Sequence, residues 1–168
     1  MKYERFEDLP VWKAAFDLAL RVFALTSDRA FNGAGDLRDQ LQRSSLSISQ
    51  NVAEGFERGS TNELLYYLYV ARGSAGESRS ALRFCDRYPP MAHLKPEIAA
   101  LIDLALSISR QSRGWADSLQ NSDIKGQRHL NDQSRQEYTQ KRRTEQFLET
   151  LERIKRKGNA APSDDSEI

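Results

Sequence analysis

At 168 residues, with 39% hydrophobic and 29% charged side chains and a mean hydropathy of −0.69, the chain suits one domain with an appendage rather than two domains. No apolar run approaches the ~20 residues of a membrane-spanning helix, and Met1-Lys2-Tyr3-Glu4-Arg5 leads into an acidic turn rather than an apolar segment, so neither a membrane span nor a signal peptide is expected. The lone Cys85 excludes an internal disulfide and fits a reducing cytoplasm. With only His93 and His129 beside it, no His/Cys zinc site is expected.

The net charge of +1 hides an uneven distribution. Residues 1–120 carry 15 basic and 15 acidic side chains, residues 121–157 carry 10 and 6, and residues 158–168 add Asp164, Asp165 and Glu167. Of the 25 basic residues 18 are Arg, whose rigid fork suits bidentate pairing with phosphate or carboxylate.

The pattern is helical nearly throughout. Asp8 is the expected cap of a first helix with Pro10 in its first turn. Trp12, Phe16, Ala19 and Phe23 form its apolar stripe, widened by Val11, Leu20, Val22 and Leu25. Asn32-Gly33-Ala34-Gly35 breaks the chain, and Asp36 is the expected cap of a second helix burying Leu37, Leu41, Ser45, Ile48, Val52 and Phe56. Its serines, Ser44, Ser45, Ser47 and Ser49, are poor helix formers that allow a neighbouring helix to approach closely. Gly59-Ser60-Thr61-Asn62 ends it.

Thr61 or Asn62 opens a third helix with Leu65, Tyr66, Tyr67, Leu68, Tyr69 and Val70 early and Leu82 and Cys85 late. Gly73 and Gly76 between them cost about 1 kcal/mol each relative to Ala, which points to close backbone approach or to a binding surface. Pro89-Pro90 stops this helix. A fourth begins near Pro96 with Ile98, Leu101, Ala105, Ile108, Ser112, Trp115 and Leu119 as its stripe. Four amphipathic helices with short connections predict an all-α, antiparallel up-down-up-down bundle over residues 1–120. Residues 121–168 read as a charged extension, with a helix over about 136–157 seamed by Phe147, Leu148, Leu151 and Ile154, and a disordered end.

No nucleophile elbow, Walker A or dinucleotide-binding glycine pattern occurs. Glu54 and Glu77 lack the Glu-x-x-His partners of a di-iron bundle. Neither catalysis nor a cofactor is therefore expected. The most individual segment is Gln40-x-x-Arg43-Ser44-Ser45-x-Ser47-Ile48-x-x-Asn51-Val52-Ala53-Glu54-Gly55-x-x-Arg58, continued by Ala71-Arg72-Gly73-Ser74-x-x-Glu77. Gln40, Ser44, Ser47, Asn51, Glu54 and Arg58 recur at steps of three or four and share one helix face, which Arg72 and Glu77 could meet from the next helix. Two readings stay open: a satisfied network fixing bundle register, or a direct contact to ligand or nucleic acid.

Together with Leu9-Pro10-Val11-Trp12, these segments resemble the four-helix-bundle family encoded within intervening sequences of bacterial 23S rRNA genes. That family is related to the accessory variability determinant proteins of diversity-generating retroelements. The resemblance runs from about Phe6 to Leu119, with Val52 where the family pattern has Ile. It implies a homo-oligomer, a pentamer, with surfaces suited to RNA or an RNA–DNA hybrid, a non-enzymatic role and a reverse transcriptase as a possible partner. Nucleic-acid contacts are then expected from Arg43, Arg58, Arg72 and Arg79, and from Lys141, Arg142, Arg143, Lys155, Arg156 and Lys157 in the extension. Gln40, Ser47, Asn51, Glu54 and Glu77 are expected to form the structural network. The extension, which departs from the family pattern, reads first as a solvated helix, then as a phosphate-binding arm, and last as a coiled-coil contact. Tyr66, Tyr67 and Tyr69 read as core or subunit interface before base-stacking platforms. The alternative for the whole chain is a protein-interaction scaffold without nucleic-acid affinity.

Overall fold

A computed structural model describes residues 3–121 and, beyond them, helical residues 140, 143, 144, 146–148, 150, 152 and 153. The chain divides into two units, Met1–Arg128 and His129–Ile168. The first is a bundle of four long helices, α1 (Pro10–Leu25), α2 (Gly35–Glu57), α3 (Thr61–Arg87) and α4 (Lys95–Gln120), with short 3-10 turns at Phe6–Asp8, Arg29–Phe31 and Pro89–Leu94. Consecutive helices pack together, and α1 closes the square against α4.

Side-chain pairs give the directions. Ser44 meets Ser78, Ser47 meets Ser74, and Gly55 lies against Tyr67, so α2 and α3 run antiparallel. The α1–α2 and α3–α4 connections share one end, where His93 Nε2 lies 3.1 Å from Asp28 Oδ2. At the same side, Arg21 of α1 makes a two-pronged bond to Glu97 of α4, at 2.9 and 3.0 Å. Near the opposite end Gln120 donates to the Tyr69 hydroxyl at 3.0 Å. The helices therefore go up, down, up and down.

The core is a closed set of aliphatic side chains. Leu18, Leu41, Ile48, Leu64, Leu82 and Ile108 are all completely buried, each contributing on the order of 1.5–3 kcal/mol of transfer free energy. Burial in α2 and α4 follows the expected stripes, except that Leu37, Trp115 and Leu119 are only partly covered.

In α1 the buried face differs from the expected stripe. Val11, Ala15, Leu18, Ala19, Val22 and Leu25 go inside, while Phe16, Leu20 and Phe23 are exposed and Trp12 is half-buried. This helix is apolar nearly all round, so periodicity could not choose a face. The face bearing two alanines won because small side chains let α2 and α4 approach.

Two caps also differ. Asp8 belongs to the first 3-10 turn, and α1 begins after Leu9 with Pro10 at its start. Asp36 sits inside the first turn of α2, where its charge favours the helix dipole without a capping bond. The true cap of α3 is Ser60, whose hydroxyl accepts from Glu63 N–H at 3.3 Å. The Ser60 hydroxyl in turn donates to the Glu63 carboxylate at 2.5 Å. Gly59, with φ of +79°, takes the left-handed turn that ends α2.

In the second unit, Thr144 and Thr150 bond back to the carbonyls of Gln140 and Gln146, and Phe147 and Leu148 are exposed. Leu151, Ile154 and the expected disordered end lie outside the described residues.

Gly55 packs closely against α3. A Cβ there would sit 2.7 Å from Tyr67 Cβ and 3.4 Å from Leu64 Cα. Because neither atom is the end of a flexible chain, Gly55→Ala is expected to destabilise the bundle by about 1–3 kcal/mol. Urea unfolding of the two proteins measures this, and an unchanged midpoint would contradict so close a packing.

Candidate functional site

The α2–α3 seam is built from small hydroxyls inside and longer polar groups at its edges. In its buried middle, Ser78 donates to Ser44 Oγ at 2.8 Å. One turn along, Ser47 and Ser74 hydroxyls lie 3.0 Å apart, and Asn51 donates to Ser47 Oγ at 2.9 Å and to its carbonyl at 2.7 Å. Leucines at these positions would hold the helices farther apart. The hydroxyls satisfy one another, so burial leaves none of these partners unpaired.

At one end of the seam, Gln40 donates to Glu77 at 3.4 Å and accepts from Arg43 at 3.2 Å. At the other end, Glu54 Oε1 accepts from both Arg58 and the Tyr67 hydroxyl, each at 2.7 Å. The Arg58 guanidinium also lies 5.5 Å from the Tyr67 ring centroid and 3.8 Å from Glu63. The Tyr67 hydrogen bond, followed by that of Arg58, holds the Glu54 carboxyl below its usual range. The same bond to Glu54 raises the Tyr67 phenol.

These contacts divide the expected site residues. Gln40, Ser47, Asn51, Glu54 and Glu77 all take part in the seam. Arg43 and Arg58 are bonded into its two ends. Arg72 does not meet it. Tyr69 and Arg72 are three residues apart and share a side of α3, and Tyr69 bonds α4. Arg72 therefore turns away from α2, because Ser74, Ser78 and Tyr67 occupy the side facing it. Arg143 lies at an exposed helical position in the second unit, while Lys141, Arg142, Lys155, Arg156 and Lys157 fall outside the described residues.

A second surface was not assembled by sequence reasoning. Arg72, Gly76, Arg79, Arg83 and Arg87 recur at steps of three or four along α3, so the row spans about 22 Å at 1.5 Å per residue. Arg110 lies on the neighbouring helix. Among the described residues, none of these arginines makes an ion pair or a side-chain hydrogen bond, whereas Arg5, Arg21, Arg38, Arg58 and Arg113 all have carboxylate partners. Gly73 and Gly76 have nothing within 4 Å of where a Cβ would stand. Close helix approach inside the bundle is thus not their role, and they leave bare backbone beside Tyr69, Arg72 and Arg79. The spacing of Arg83 and Arg87 was a readable signal; the absence of facing carboxylates was not.

Cys85 is fully buried, and burial pushes its thiol up to about 11, well away from a reactive thiolate. Among the described residues, no group of three or more His, Cys, Asp or Glu side chains could hold a metal ion. No described helix is long and apolar enough to cross a membrane.

Fold and seam together define an antiparallel four-helix bundle whose second and third helices are locked by a polar zipper. The family model described as 23S rRNA-intervening sequence protein matches residues 7–113, which include the whole seam and the α3 arginine row, and the chain belongs to that family. No curated protein matches the chain.

Two outcomes follow from this geometry. Gly73→Ala and Gly76→Ala meet no obstacle and remove helix-interior glycines, so each is expected to stabilise by about 0.5–1 kcal/mol in urea unfolding; a loss of stability would mean a hidden packing role. Tyr67→Phe removes the bond that most depresses Glu54. The carboxyl should then titrate at higher pH, as followed by side-chain NMR. Because the folded carboxyl is depressed in the native protein, its stabilisation is full above the unfolded glutamate range, near 4.3, and is lost as pH falls through the folded value. The variant should lose less stability across that interval.

Proposed function

We propose that this member of the 23S rRNA-intervening sequence protein family is a non-enzymatic, homo-oligomeric bundle that binds structured RNA, alone or in a complex with protein. The single observation carrying this reading is the outer face of α3, where Arg72 and Arg79 have no acidic partner among the described residues and flank the open backbone of Gly73 and Gly76. A phosphate chain needs both features, cations free to pair and a surface low enough for close approach. Exposed Tyr66 and Tyr69 add aromatic area on the same helix. Repetition of the face in an oligomer multiplies weak contacts into avidity. A cytoplasmic place beside a reverse transcriptase and its template RNA is the finer form of this reading. It rests on the resemblance to retroelement accessory proteins.

The second reading, a protein scaffold without RNA affinity, draws on the two seam arginines. Arg43 and Arg58 are already bonded to Gln40 and Glu54, which makes them structural.

Binding of a structured RNA as a function of salt separates the two. The full chain should bind with an affinity that falls steeply with salt. Arg72→Ala with Arg79→Ala should weaken binding and reduce the log–log salt slope by roughly one per arginine that touched a phosphate. Neutralising the six extension cations to Gln tests the second basic region independently. If only that variant loses binding, the extension carries the RNA and the bundle serves to gather copies. No binding at about 0.15 M salt supports the scaffold.

A further inference from the structure

Two further exposed apolar features of the bundle lie at the end that carries the α1–α2 and α3–α4 connections, one between α1 and α2 and the other on α3. The first is a groove between α1 and α2, a cavity of about 740 Å³. Phe23 and Leu46 form its apolar walls, and Asp36 and Asp39 stand along its rim. Phe16 and Leu20 extend the apolar surface along α1, and Trp12 stacks on Phe16 at 5.0 Å. The second is the C-terminal end of α3. There Phe84 and Tyr88 stack on each other, 5.5 Å between centroids, and both are exposed. Arg83 and Arg87 stand beside them around a shallow hollow of about 380 Å³.

We infer that these two features are the halves of one interface: the α3 end of one copy seats in the α1–α2 groove of the next. The occupant of the groove is thus a second copy of this chain. This inference rests on the homo-oligomer part of the proposed function and names the surface that builds it.

Chemistry pairs the halves. Phe84 and Tyr88 offer aromatic area to Phe23 and Leu46, and covering both removes apolar surface from water. Arg83 and Arg87, four residues apart, present two cations about 6 Å apart, and Asp36 and Asp39, three apart, present two carboxylates at a similar spacing. Arg83, Arg87 and Asp36 have no ion pair among the described residues, and Asp39 shares only an exposed one with Arg38 at 3.3 Å. The remaining cation on the groove, Arg43, is bonded to Gln40. Self-association of the groove would bring Asp36 and Asp39 against their own copies, and self-association of the α3 end would oppose four arginines. Only the groove-to-end contact joins unlike charges.

Such a contact is heterologous. Each copy offers two different surfaces, one to each neighbour, so the assembly closes into a ring or extends. Arg72 and Arg79 lie on the same helix as the buried end, one to three turns before it. They stay outside the contact, so their free side chains repeat around the assembly.

The test is the mass of the full chain by light scattering, without nucleic acid. Wild type should run at a multiple of 19.2 kDa. Asp36→Arg with Asp39→Arg, and separately Arg83→Glu with Arg87→Glu, should each fall to the monomer mass. Mixing the two variants, or combining all four substitutions, should restore the multiple because unlike charges face each other again. All four positions are on the surface, and circular dichroism verifies the helices. Should a charge reversal unfold the bundle, the neutral changes Leu46→Gln and Phe84→Gln give the same readout. A wild-type monomer overturns the oligomer reading itself. A wild-type oligomer that both variant pairs leave intact overturns only this interface. If the Arg83/Arg87 pair keeps its mass but loses RNA binding, those arginines are RNA contacts and the inference fails.

Discussion

The closeness of α2 and α3 is the constraint from which the rest of this bundle follows. Gly55 leaves no room for a methyl group against Tyr67, and the serines at 44, 47, 74 and 78 keep the same separation over the next three turns. A leucine zipper would have supplied more apolar burial but a wider spacing. The serine seam exchanges that burial for direct hydrogen bonds whose pairing works in one register only. A shift of α3 by a turn would put Ser78 opposite Ser47 and leave Ser44 without its donor. Hydroxyls buried and unsatisfied cost about 1–3 kcal/mol each, so the seam excludes slipped arrangements that an all-aliphatic interface would tolerate.

Fixing one pair of helices fixes the charges around it. With Glu54 bonded to Arg58 and Tyr67, and Gln40 bridging Arg43 and Glu77, the polar stripe of α2 is saturated by its own neighbours. Its arginines are part of the fold. The surface free to meet something else is the other flank of α3, which faces away from α2. Among the described residues no carboxylate pairs with the arginines there, and two glycines take positions where alanine would fit and would strengthen the helix. A helix that forgoes about 2 kcal/mol in this way, with no packing contact at either glycine among the described residues, fits the binding surface proposed for this face.

Much of this architecture was legible in the sequence. Glycine at 59 and the Pro89-Pro90 stop marked the two ends of α3 because such residues act locally, through φ and missing donors. The stripe Leu41, Ile48, Val52 and Phe56 was readable because the opposite face of α2 is polar. In α1 that contrast disappears: apolar residues cover most of the circumference, and the neighbours decided which went inside. The same limit governs the site. Steps of three and four placed Gln40, Asn51 and Glu54 on one face, but the pattern carries no information on whether a carboxylate stands opposite. That is why Arg58, which is bonded, and Arg72, which is not, looked alike. The bareness of Gly73 and Gly76 was likewise invisible, since glycine is chosen both for crowding, as at Gly55, and for open space.

The error in α1 is itself informative about the surface. An aromatic row that reads as core yet stays in water is one whose burial the folded chain does not complete by itself. Trp12, Phe16 and Phe23 read as core by their spacing, yet Phe16 and Phe23 are exposed and Trp12 is half-buried; the inferred contact between copies would cover this row. The α3 end, with its stacked Phe84 and Tyr88, is the surface proposed to meet it. In the proposed assembly each copy brings an apolar, acidic groove on α1 and α2 to one neighbour and an apolar, basic end of α3 to the other. A mean hydropathy of −0.69 conceals this, because averaging over the chain sums the two faces that separate copies would bring together.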